Sequence, residues 1–123
     1  MKQRISLLFA LLMLMGASSI AQSFSVSGKL QDSMNVKPVV FATVSLISKS
    51  DSILRTFTRT NQSGEFNLTV NKPGNYIILI AHNLFVDYVE DIELTESNKD
   101  KNLGTINMFQ RGQLLKEVFI KNS

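Results

Sequence analysis

From residue 24 onward the chain alternates between apolar and polar side chains. Phe24, Val26 and Leu30 are interleaved with Ser25, Ser27 and Lys29, the period of two that gives a strand one apolar and one wet face. Gly28 falls on the apolar side, where a larger side chain would otherwise pack. Pro38 punctuates the approach to a second run, Val39 to Ser48, with Val40, Ala42, Val44 and Leu46 on one face and Phe41, Thr43, Ser45 and Ile47 on the other. The first set is the predicted core face. Asp51 to Thr60 is a third run, and its Arg55, Thr56, Thr58 and Arg59 suit an exposed or edge strand, where charge discourages pairing with another molecule.

Turn chemistry separates the remaining runs. Asn61-Gln62-Ser63-Gly64 closes the third strand, and Phe66, Leu68 and Val70 continue the alternation. Lys72-Pro73-Gly74-Asn75 then favours a tight reversal. Tyr76 to His82 is apolar on both faces, with Tyr76, Ile78 and Ile80 on one side and Ile77, Leu79 and Ala81 on the other, the composition of a central strand. Tyr88 to Leu94 and Leu103 to Phe109 are two further strands, divided by the charged loop Glu96 to Lys101. Leu114 to Lys121 reads as an additional extended segment. No window shows the i, i+3, i+4, i+7 recurrence of an amphipathic helix. Seven strands at regular spacing predict an all-β, seven-stranded antiparallel two-sheet sandwich over residues 22–112, more readily than a closed barrel.

The first 21 residues follow a different pattern. Lys2 and Arg4 precede the apolar run Ile5 to Met15, and small residues lead to Ser19-Ile20-Ala21, the order of an export signal cut after Ala21. Gly16, Ser18 and Ser19 interrupt the run, which makes it a poor membrane span. The chain is therefore expected to be exported, with no span of its own after cleavage. Setting aside Lys2 and Arg4 leaves 11 basic residues against 10 acidic, a net charge of +1. Nucleic acid is not indicated as a partner, because the basic residues are scattered singly.

Candidate chemistry is sparse. The chain has one histidine and no cysteine, so thiolate and multi-histidine metal sites are excluded and no disulfide supports the fold. His82, at the end of an apolar strand, reads as a structural residue, and no G-x-S-x-G elbow is present. Asp91 and Glu93 share a strand face but suit a wet surface better than an acid pair. The turn Asn61 to Glu65 lacks the aspartates of a calcium loop. No catalytic residue, metal site or cofactor is expected.

Four blocks in order, Val26-Ser27-Gly28-Lys29-Leu30, Lys37-Pro38-Val39-Val40-Phe41-Ala42-Thr43-Val44-Ser45-Leu46, Thr60-Asn61-Gln62-Ser63-Gly64-Glu65-Phe66 and Lys72-Pro73-Gly74-Asn75-Tyr76, resemble the carboxypeptidase-regulatory-like family. Leu103-Gly104-Thr105-Ile106-Asn107-Met108 looks like that family's last core strand. The resemblance implies a transthyretin-like, prealbumin-type sandwich without peptidase chemistry. In Bacteroidetes-type bacteria such domains often stand at the periplasmic N-terminus of TonB-dependent outer-membrane receptors. Two positions depart from the pattern: Asn61 stands where an acidic residue is common, and Leu84 stands where a glycine precedes the aromatic at Phe85.

Within residues 113–123, the segment Leu115, Lys116, Glu117, Val118, Phe119 and Ile120 is similar to the TonB-box-like strand that follows the domain in such receptors. There it can add to the edge of the energising partner's sheet. The resemblance thus implies envelope proteins as partners, either a TonB-type energising protein or a receptor barrel. The alternative is a free-standing periplasmic or secreted carbohydrate- or protein-binding sandwich. That reading predicts clustered exposed aromatics, for which Phe41 and Phe57 are the candidates and tryptophan is absent. The transthyretin fold also carries a hydrolase of purine breakdown products, but that class uses several histidines where this chain has only His82.

Overall fold

A computed structural model describes residues 22–112. Seven strands follow one another: β1 (Phe24–Asp32), β2 (Thr43–Ser48), β3 (Leu54–Arg59), β4 (Glu65–Val70), β5 (Gly74–His82), β6 (Phe85–Leu94) and β7 (Asp100–Met108). They form a three-stranded sheet in the order β4-β1-β7 and a four-stranded sheet in the order β3-β2-β5-β6. The sandwich is all-β, as the alternation predicts. The signal segment 1–21 and the segment 113–123 lie outside the described residues.

The core lies between the inner faces of the two sheets. Phe24, Val26, Leu30, Phe66, Leu68, Ile106 and Met108 close it from the smaller sheet, and Val44, Leu46, Tyr76, Ile78, Ile80 and Ile92 from the larger one. Burial of this kind is the main term holding a chain without disulfides together, at roughly 25 cal/mol for each Å² of apolar surface removed from water. Gly28 has its predicted packing role. A Cβ built there would lie 2.8 Å from Cζ of Phe66, the residue paired with Gly28 across β1 and β4, so the phenylalanine ring occupies the space the glycine leaves.

β5 sits inside the larger sheet, between β2 and β6, as its two apolar faces require. β3 forms the edge, as its charges predict. Several boundaries move: β1 continues to Asp32, β3 is confined to Leu54–Arg59, β5 begins at Gly74, β6 begins at Phe85 and β7 spans Asp100–Met108. The pairings are antiparallel except one, since β1 and β7 run parallel with a register shift between Ser27 and Lys29. Their partnership links residues more than seventy positions apart, and no turn signals it.

The second run is corrected at its start. Val39 is buried at 2% exposure while Val40 is only half-buried, and the strand itself begins at Thr43. Phe41 has φ 60°, a left-handed conformation that interrupts the alternation, so Val39 and Ala42 both turn inward although they are three positions apart. Buried Thr60 enforces this path. Its Oγ1 donates to the Val39 carbonyl at 2.7 Å and accepts from the Ala42 N–H at 2.9 Å, while its own carbonyl accepts from the Phe41 N–H at 3.1 Å.

Candidate functional site

The predicted docking strand Leu115 to Ile120 falls outside the described residues, but the structure shows how the chain leading to it is fixed. Beyond β7, Gln110 pairs with Phe85 at the start of β6, with Val86 N–H donating to the Phe109 carbonyl at 2.8 Å and Arg111 N–H to the Leu84 carbonyl at 3.0 Å. Gln110 also reaches back to β1, its Nε2 donating to Asp32 Oδ2 at 2.9 Å. Arg111 Nε donates to the Phe85 carbonyl at 2.9 Å, and its guanidinium lies 3.5 Å from Asp87 Oδ1. The route out of the sandwich is thus clamped on both sheets.

Asp32 is the centre of that clamp and was not singled out by sequence reasoning. It is 7% exposed, and its two oxygens accept from Met34 N–H at 2.9 Å, Asn35 N–H at 3.4 Å, Asn35 Nδ2 at 3.1 Å and Gln110 Nε2 at 2.9 Å. Burial alone would raise its pKa. The donors from Met34, Gln110 and Asn35 outweigh burial and hold the carboxyl below its ordinary value of 3.8. The signal available in the sequence is the run Asp32-Ser33-Met34-Asn35, a composition that favours an aspartate turned onto the backbone two residues ahead.

Around Arg111 lies a cleft of about 630 Å³ lined in part by Phe41, Arg59, His82 and Asp87. Phe41 presents its ring here with 66% exposure. His82 is half-buried, and its Nδ1 accepts from the Leu84 N–H at 3.1 Å while its ring meets Phe85 edge-on at 5.2 Å. This bond defines the turn Asn83-Leu84, and Leu84 takes its place there without a left-handed φ. His82 has the structural role expected of it. A larger cleft of about 790 Å³ opens at another part of the surface beside Ser48, Arg55, Lys72 and Tyr76. Arg55 is paired with Asp51, and the Tyr76 hydroxyl donates to the Lys72 carbonyl at 2.7 Å.

The other candidate residues are separated from one another. Asp91 pairs with Lys49 Nζ at 3.1 Å, and both Asp91 and Glu93 are exposed, as on a wet strand face. Asn61 Oδ1 accepts from the N–H groups of Ser63 and Glu65 at 3.0 and 2.9 Å, so an amide oxygen performs the acceptor role that a carboxylate would perform. Gly64 completes that turn at φ 76°. Phe41 and Phe57 are both exposed, at 66% and 62%, but the His82–Phe85 pair is the one aromatic contact among the described residues. Among the described residues no group of three histidine, cysteine, aspartate or glutamate side chains is placed to hold a metal.

This sandwich, with its order of strand, glycine turn and proline reversal built into two sheets, defines a small all-β module. The family of carboxypeptidase regulatory-like domains matches residues 25–108, and the chain belongs to it. No curated protein matches the chain. Among solved structures, the sandwich is similar to the Bacillus anthracis TIE protein, with a TM-score of 0.59 and 12% identity over 72% of this chain and 17% of that one. It is also similar to the group B streptococcus pilus 2b backbone protein, with a TM-score of 0.54 and 14% identity over 75% of this chain and 43% of that one. The Klebsiella pneumoniae 5-hydroxyisourate hydrolase has a TM-score of 0.53 and 17% identity, over 68% of this chain and 90% of that one. The chain spans less than half the length of the pilus protein, and likenesses at these identities describe the fold.

Proposed function

We propose that this chain is a non-catalytic accessory domain of the cell envelope, exported by residues 1–21, which docks through Leu115 to Ile120 onto a partner of a TonB-dependent outer-membrane receptor system. The observation that carries the reading is positional. A regulatory-like family domain covering residues 25–108 is followed directly by the docking segment, and Gln110 and Arg111 clamp the chain immediately before it. A strand added to a partner's sheet edge gains main-chain hydrogen bonds and needs a fixed point from which to extend. The side chains with chemical potential support a non-catalytic role, since His82 shapes a turn and Asp91 is ion-paired.

The test is capture of the purified periplasmic domain of a TonB-type protein by the chain from Gln22 to Ser123. Replacing Val118 with proline removes a backbone donor from the docking strand and should abolish capture, while Arg111→Ala should weaken it. Capture that survives Val118→Pro overturns the docking role. A second reading, a free-standing binding sandwich, is favoured by the exposed Phe41 ring beside Arg59 in the smaller cleft. It predicts instead that Phe41→Ala, and not Val118→Pro, abolishes partner binding.

A further inference from the structure

The larger sheet has a second apolar face, turned away from the core. Register sets Phe57, Ser45, Leu79 and Val89 in one row across β3, β2, β5 and β6, and Ile47 with Ile77 in the next. Phe57 is 62% and Val89 60% exposed. The smaller sheet occupies the opposite side, and among the described residues no strand lies over this face. Apolar side chains grouped on an uncovered sheet face are the kind of surface that interaction sites use.

From the shape and charge of this face we infer that it binds a second copy of the same chain, in a two-fold dimer whose axis runs parallel to the strands. Such a rotation keeps each row at its height and reverses its order. Leu79 then lies over the small Ser45 of the second copy, and Phe57 lies opposite Val89, so tall side chains meet short ones or the rim. The same rotation brings Arg59 on β3 over Asp87 on β6 of the other copy. Among the described residues Arg59 has no ion-pair partner, and Asp87, paired with Arg111 at 3.5 Å, is still half-exposed and open to a second cation. An axis across the strands would instead lay β6 over β6 and set Asp87, Asp91 and Glu93 against the same acids. A surface that complements itself under one rotation is what an isologous interface requires.

Four strands about 4.8 Å apart and about six residues long give a face of roughly 400 Å² in plan. Counted on both copies this is about 800 Å², below the size of a stable interface, so the dimer is a weak one that forms only at high concentration. The inference is independent of what the segment beyond Gly112 engages, and a failed capture experiment leaves it standing.

Sedimentation velocity of the chain from Gln22 to Ser123, over roughly 5 to 500 μM, tests it. The expected result is a monomer that becomes a dimer with concentration, and Leu79→Asp should remain monomeric with an unchanged circular dichroism spectrum. Arg59→Asp should weaken the dimer about tenfold, and the charge swap Arg59→Asp with Asp87→Arg should restore it. Should Leu79→Asp fail to fold, Phe57→Glu at the rim of the same face takes its place. A chain that stays monomeric throughout, or a dimer indifferent to the substituted face, overturns the inference. So does a monomer that dimerises only once residues 113–123 are removed, because the chain's own tail would then cover the face.

Discussion

Strand β5 shows two faces of almost the same composition in opposite settings. Ile78 and Ile80 point inward and are fully buried between the sheets, whereas Ile77 and Leu79 point outward and are half-buried among Ser45, Ile47 and Val89. The inner face is covered by another sheet of the same chain; the outer face is not. Side-chain type alone therefore does not distinguish a core from a binding surface, and the distinction rests on which face the smaller sheet covers. The inner face carries the stability, and the outer face is left for association.

The sharpest way to break this comparison is to truncate matched residues on the two sides. Ile78→Ala should cost about 4 kcal/mol by removing buried methylenes and leaving a cavity, read as a shift of the urea midpoint. Gly64→Ala should cost about 3 kcal/mol, since a Cβ there meets the Leu30 carbonyl at 2.5 Å on a backbone held at φ 76°. This loss tests the turn that carries the chain from the larger sheet to the smaller one.

Asp32→Ala comes next, at about 2 kcal/mol at neutral pH, because four donors lose their acceptor. Its pH dependence has a fixed sign. The folded pKa lies below 3.8, so the carboxylate stabilises the fold above that value, and the contribution is lost as acid protonates it. Wild type should lose stability more steeply than Asp32→Ala between about pH 5 and pH 2, as measured by urea unfolding at each pH. The smallest effect belongs to Leu79→Ala, which should lower monomer stability by about 1 kcal/mol, in keeping with half-burial. A loss comparable to that of Ile78→Ala would dissolve the distinction between the two faces.

Much of the fold was legible in the sequence because alternation reports which side of a strand is apolar. Val44, Leu46, Tyr76, Ile78 and Ile80 are buried as that pattern predicts. Alternation fails where the backbone leaves the strand, and the left-handed Phe41 reversed the expected roles of Val39 and Val40. It is also silent about partners, so the parallel pairing of β1 with β7 was invisible. The family resemblance was carried in part by glycines, of which the structure explains Gly28 through Phe66 and Gly64 through Leu30 and the Asn61 turn. Of the clamp at Asp32, the local turn onto Met34 and Asn35 was readable and overlooked, whereas Gln110, 78 positions away, is brought to it only by the fold.

Export of this chain to work as an accessory domain at the envelope is tested by fractionating source cells and probing with an antibody against residues 22–112. The expected result is a band in the outer-membrane or periplasmic fraction, retained on a TonB-type partner when the fractions are cross-linked. A band confined to the cytoplasm, still carrying residues 1–21, would contradict it.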